Sequence, residues 1–111
     1  MAYPHDAEMP EIGAGEAIEL VAGGATLIDV REQDEWDAGH APTARLLPMS
    51  VLRDRIDELP TDTQLLIVCH SGGRSLRVTD LLLKSGYDAV NVIGGMTAWA
   101  AAGGPLEQPA R

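Results

Sequence analysis

The run Gln64-Leu65-Leu66-Ile67-Val68-Cys69 passes without a spacer into His70-Ser71-Gly72-Gly73-Arg74-Ser75 and then into a helix-period segment that ends at Lys84. A strong apolar strand, a glycine-containing loop and a helix in direct succession confine the chain to α/β structure, and the rest of the sequence repeats the alternation. Glu16 to Val21 places Ala17, Ile18, Leu20 and Val21 at helical spacing before Gly23 and Gly24. Thr26 to Val30 reads as a buried strand, and the acidic stretch Glu32 to Ala38 as a short exposed helix ended by Gly39. Ser50 is expected to cap a helix carrying Val51, Leu52, Arg55, Ile56 and Leu59, which Pro60 ends. Val78, Leu81 and Leu82 share one face of the helix from Ser75 to Lys84, with Gly86 just past its end. Ala89 to Ile93 is a further strand, and Met96 to Ala101 a last short helix anchored by Trp99. Right-handed crossovers between such strands predict a central parallel sheet with helices on both faces.

With 111 residues, 45% of them hydrophobic, the chain is sized for one domain. We place it at residues 11–103, with the polar, proline-containing segments 1–10 and 104–111 as flexible tails. No apolar run approaches the roughly 20 residues of a membrane span, and Met1 to Pro10 carries Asp6 and Glu8 rather than a basic-then-apolar leader. The expectation is a soluble, cytoplasmic protein. Eight basic against seventeen acidic residues give a net charge of −9, which argues against nucleic acid or an anionic membrane as partner and is compatible with a basic carrier protein. The single cysteine, Cys69, excludes an internal disulfide. His5, His40 and His70 are scattered without paired-ligand spacing, so no metal site is expected.

Ligands of open α/β sheets gather beyond the carboxyl ends of the strands, where Cys69 stands. Gly72 and Gly73 permit a sharp turn that aims successive N–H groups inward, and the positive end of the Ser75 helix adds to the same field. Such a cup holds an anion, and the first one it would stabilise is the Cys69 thiolate, with Arg74 as a cationic neighbour. A lone cysteine commonly serves as a small hydrophobe. Two glycines, two hydroxyl residues and an arginine, however, pack a core poorly and hold a charge well. His70 is compatible with a base, a cation or a solvent-facing loop residue.

The loop Cys69-His70-Ser71-Gly72-Gly73-Arg74-Ser75 resembles the active loop of the rhodanese-like sulfurtransferases. The stretch Leu27-Ile28-Asp29-Val30-Arg31, with Glu35-Trp36, Gly39-His40 and Leu47-Pro48, is similar to the first signature of that family. Val92-Ile93-Gly94-Gly95-Met96-Thr97-Ala98-Trp99 is similar to its second. The resemblance covers about Glu11 to Gly103 and implies a three-layer fold without metal or organic cofactor. It also implies two-step sulfur transfer: Cys69 takes sulfane sulfur from a small donor such as thiosulfate and passes it to cyanide, a thiol, or a sulfur-carrier or thioredoxin-like protein. On this reading Cys69 is catalytic. His70, Ser71, Gly72, Gly73, Arg74 and Ser75 hold substrate, and Asp29 and Arg31 support the neighbouring loop through an ion pair or backbone hydrogen bonds.

Glu35, four residues after Arg31, is expected to pair with it, and His40 to be a hydrogen-bonded loop residue. Trp36 and Trp99 are assigned to the core. Four residues between Cys69 and Arg74 make a shorter ring than the one found in similar phosphatases and arsenate reductases, which favours sulfur over a phosphoryl group. A non-catalytic binding module of the same fold is the other alternative, and it would be expected to lack the nucleophile. Two departures bear on substrate choice. Ala41-Pro42-Thr43-Ala44 lacks the glycine and bulky aliphatic residue common after Gly-His, and His70-Ser71 replaces the basic residues often found in members efficient with thiosulfate.

Overall fold

The computed structural model describes residues 9–108. Five parallel strands form one sheet in the order β1-β5-β4-β2-β3, where β1 is Glu11–Ile12, β2 Thr26–Asp29, β3 Arg45–Leu46, β4 Leu65–Val68 and β5 Ala89–Val92. Helices α1 (Ala14–Ala22), α2 (Gln33–Asp37), α3 (Leu52–Arg55) and α4 (Gly73–Lys84) lie in the connections between them, and α5 (Gly95–Ala101) follows β5. Among the described residues no helix is long and apolar enough to cross a membrane.

Side chains alternate across a strand, so β4 feeds two cores at once. Leu65, Ile67 and the following Cys69 point to the face covered by Leu52 of α3 and by Val78 and Leu82 of α4. Leu66 and Val68 point to the opposite face, against Ala17 of α1 and Met96 and Trp99 of α5. The expected three-layer α/β sandwich is what forms. Because the chain leaves β4 toward β5 on one side and has β2 on the other, the carboxyl end of β4 is the place where the crossover direction reverses.

Three features depart from the sequence reading. β1 and β3 are additional two-residue edge strands, too short to leave an alternation pattern. The helix expected from Ser50 is broken into a 3-10 turn Met49–Val51, α3, and a second 3-10 turn Ile56–Glu58. The breaks fall at Val51 (φ −119°, ψ 8°) and Arg55 (φ −121°, ψ 9°), outside helical dihedrals. Ser50 caps nothing and instead donates its hydroxyl to Glu32 Oε1 at 2.7 Å. The expected tail from Gly104 folds back: the buried Trp99 indole N–H donates to the Pro105 carbonyl at 2.9 Å, and Glu107 bridges His40 through both backbone groups. Residues 1–8 and 109–111 of the expected tails lie outside the described residues.

Candidate active site

Cys69 follows β4 and is 1% exposed, its sulfur enclosed by the turn into α4. Gly72 takes φ +115°, a left-handed conformation open to glycine, and this turns its N–H onto Cys69 Sγ at 3.1 Å. The Ser75 hydroxyl, fully buried one turn into α4, stands 3.3 Å from the same sulfur and 3.2 Å from the Gly72 carbonyl. As a thiol, Cys69 donates to Ser75 Oγ while that hydroxyl donates to Gly72; as a thiolate, it can only accept, and the hydroxyl can turn to it.

Burial pushes the Cys69 thiol up, but the Ser75 hydroxyl and the backbone N–H groups of Ser75, Gly72 and Arg74 outweigh it and bring the thiol below its ordinary value. The first turn of α4 therefore acts on sulfur through hydrogen bonds, as an anion-binding helix start does.

The Arg74 guanidinium is engaged elsewhere. It makes a bidentate pair with Glu35 of α2, Nη1 to Oε1 at 2.6 Å and Nη2 to Oε2 at 2.7 Å. The Arg31–Glu35 pairing expected from helical spacing does not form. Arg31 instead lies buried beside Asp29, with its Nη2 2.8 Å from Oδ2, its Nε within 3.1 Å of both carboxylate oxygens, and its Nη2 also reaching the Gly39 carbonyl at 2.9 Å. Glu35 is freed for Arg74 by the capping box of α2, in which its carboxylate accepts the Glu32 N–H at 3.0 Å. The Arg74 hydrogen bonds, together with the Glu32 N–H and against partial burial, hold the Glu35 carboxyl at about 2.

His70 and Ser71 are exposed, and neither side chain has a hydrogen-bond partner among the described residues. Their backbone is held from behind. The Cys69 carbonyl accepts the Met96 N–H at 2.7 Å, and the His70 carbonyl accepts the Thr97 N–H and hydroxyl, both at 3.0 Å. In a trans peptide the N–H faces away from its carbonyl, so these bonds orient the His70 and Ser71 peptides with their donors on the side away from α5. Gly95 makes the approach possible: at φ +57°, any Cβ there would collide with the Cys69 and His70 carbonyls. The sequence reading placed Gly94-Gly95 in a turn and gave it no role at the site; the signal was a glycine pair between strand and helix.

His40 is hydrogen-bonded as expected, through Nδ1 to the Trp36 carbonyl and Nε2 to Glu107 Oε1, both at 3.0 Å. Trp36 does not enter the core: it is half-buried and stacks on His40 with ring centroids 3.7 Å apart. The five-residue α2 has no buried residue to pull the indole inward.

The order of these parts along the chain is matched by known proteins. The profile of the Rhodanese-like domain family matches residues 13–102. A sulfurtransferase of Allochromatium vinosum is 39% identical over 84 residues, 75% of this chain and 78% of that protein. The probable adenylyltransferase/sulfurtransferase MoeZ of Mycobacterium tuberculosis is 39% identical over 77 residues, which make up 67% of this chain and 20% of MoeZ. The crystal structure of a rhodanese-like domain protein from Staphylococcus aureus aligns with a TM-score of 0.82 at 34% identity, covering 92% of this chain and 100% of that one. Sequence profile, named relatives and backbone geometry converge over the same stretch that carries the Cys69 loop, and the chain belongs to the Rhodanese-like domain family, with a sulfurtransferase-family role.

Proposed function

We propose that this chain moves sulfane sulfur from a small donor to a thiophilic acceptor through a persulfide on Cys69. The observation that carries the reading is the Cys69 sulfur at the end of β4, with the Gly72 N–H at 3.1 Å and the Ser75 hydroxyl at 3.3 Å. The thiolate attacks the outer sulfur of the donor. A sulfur–sulfur bond forms to Cys69, the donor's own sulfur–sulfur bond breaks, and its electron pair leaves with sulfite when the donor is thiosulfate. The terminal sulfur of the persulfide keeps the negative charge that it carried in the donor, and the amide cup accommodates it. An acceptor nucleophile, cyanide or a thiolate, takes that sulfur, and the pair of the breaking bond returns to Cys69 as thiolate. Neither step has a net oxidant or reductant.

In this scheme Arg74 steadies the loop through Glu35, and the buried Asp29–Arg31 pair fixes the Gly39 turn beside it. The same commitment of Arg74 weighs against phosphoryl transfer, which needs that guanidinium on the transferred group. With one cysteine the protein passes its sulfur outward, to a small nucleophile or to a carrier protein; a relative whose name couples adenylyl and sulfur transfer is in keeping with a protein acceptor.

The test is the intact mass before and after thiosulfate and then cyanide, with Cys69→Ser in parallel. A gain of one sulfur, removed by cyanide and absent from the variant, is expected. A sulfur gain by Cys69→Ser would overturn the proposal.

A further inference from the structure

A groove of about 520 Å³ runs between the Met49–Arg53 segment and α4. Its apolar lining is Met49, Leu52, Val78 and Leu81, and its charged rim includes Arg53 and Arg77. These two arginines differ from every other described arginine and lysine. Arg31 holds Asp29, Arg74 holds Glu35, Arg55 holds Glu58, Lys84 holds Asp80, and Arg45 reaches the Glu58 carbonyl. Of the described arginines and lysine, only Arg53 and Arg77 have no hydrogen-bond or ion-pair partner among the described residues, and both line this one groove. In a chain of net charge −9, two exposed guanidiniums without an ion-pair partner stand beside an apolar floor, free to donate to carboxylates from outside. Asp54 also lines the groove, and Lys84 and Asp80 neutralise each other there, so the balance stays positive.

The groove lies on the same face of the sheet as Cys69. Leu52, Val78 and Cys69 belong to one buried cluster, against which Met49 and Leu81 pack, so groove and nucleophile share a face of the sheet. Arg77 stands three residues after Arg74 on α4, and Ser50, in the opposite wall, is bonded to Glu32, the residue that caps α2.

We propose that this groove is the docking surface for the protein that accepts the sulfur, and that it takes an acidic segment bearing apolar side chains. This rests on the sulfur-transfer reading above. The overall negative charge favours basic partners at long range, but fields of exposed charges are screened beyond ~8 Å at physiological salt. At contact the local pair of arginines decides, with Met49 and Leu81 supplying apolar area of the kind that protein interfaces use.

The experiment uses two cysteine-ended peptides of equal length, one alternating glutamate with leucine and one alternating lysine with leucine, as acceptors from the loaded protein, with cyanide as a small acceptor. The wild-type chain is expected to transfer to the acidic peptide with kcat/KM about tenfold above the lysine peptide. The Arg53→Glu, Arg77→Glu double variant is expected to lose that preference while its turnover with cyanide stays unchanged. If cyanide and both peptides receive nothing, the sulfur-transfer reading fails. The groove is then judged by anisotropy of labelled, cysteine-free versions of the same peptides. Equal binding of the two, tighter binding of the lysine peptide, or binding unaffected by the double variant overturns the docking proposal. So does a wild-type dimer in solution that the double variant abolishes, because it assigns the groove to a second copy of this chain.

Discussion

Glu35 and Arg74 lie 39 positions apart in sequence and meet through two parallel hydrogen bonds of 2.6 and 2.7 Å. One carboxylate thereby closes the start of α2 through the Glu32 N–H and fixes the first turn of α4, whose N–H groups face the Cys69 sulfur. The arginine of the loop is a strut between two helices, and the charge it carries is largely matched before any substrate arrives.

Glu35→Gln keeps the side-chain shape and removes the charge. It is expected to slow sulfur transfer about tenfold by loosening the loop, with little change in overall fold. The folded carboxyl lies at about 2 against an ordinary 4.5, so its contribution to stability is full above 4.5 and disappears as pH falls toward 2. The difference in Tm between wild type and Glu35→Gln should therefore be constant from neutral pH down to about 5. Below that it should shrink, and a difference that grows in acid would contradict the pairing. Both side chains are about a third exposed, so added salt should reduce the same difference.

Ser75→Ala removes the hydroxyl that most lowers the Cys69 thiol while leaving the Gly72 N–H in place. The thiol of the variant should titrate higher, seen as thiolate absorbance that rises at higher pH and as slower alkylation near neutrality. Because the folded thiol lies below its ordinary 9.0, ionised Cys69 stabilises the fold above that value, and the gain is lost as pH falls through the folded value. Ser75→Ala should narrow this alkaline gain; an unchanged alkylation profile would remove Ser75 from the site.

What the sequence made legible followed from local physics. The long apolar strand ending at Cys69, the glycine turn and α4 are adjacent in the chain, so their geometry could be read from one stretch. The edge strands β1 and β3 exist only because longer neighbours offer them hydrogen-bonding partners, and two residues carry no periodicity. Glu35 was assigned to Arg31 by helical spacing, but Asp29 holds Arg31 in the bend after β2 and the capping box aims Glu35 outward. Its true partner comes from a distant helix. Gly95 was legible as a turn; its contact with the Cys69 and His70 carbonyls depends on β4 and β5 lying side by side.

Asp29→Asn leaves Arg31, 6% exposed, without its counter-charge, since Asp29 is fully buried. Breaking a buried pair from one side costs about 3–5 kcal/mol, a large part of what a domain this size has. Urea unfolding, extrapolated to water, should show a stability lower by that amount. Loss of activity at unchanged stability would instead point to a direct role in the chemistry.

Gly95→Ala and Gly73→Ala separate backbone packing from loop flexibility. Gly73 opens α4 with an ordinary φ, and an added Cβ meets nothing within 4 Å, so its replacement should change Tm and turnover little. At Gly95 the φ of +57° alone costs about 1–3 kcal/mol for alanine. The added methyl also presses on the carbonyl oxygens of Cys69 and His70, the latter at 2.7 Å. Relief requires α5 to move away from the loop, which breaks the Met96 and Thr97 bonds that hold those peptides. Gly95→Ala is therefore expected to lower Tm and, in the fraction that remains folded, to slow Cys69 alkylation and sulfur transfer together. A variant destabilised but with normal thiol reactivity would show that the contact supports the fold without setting the cup.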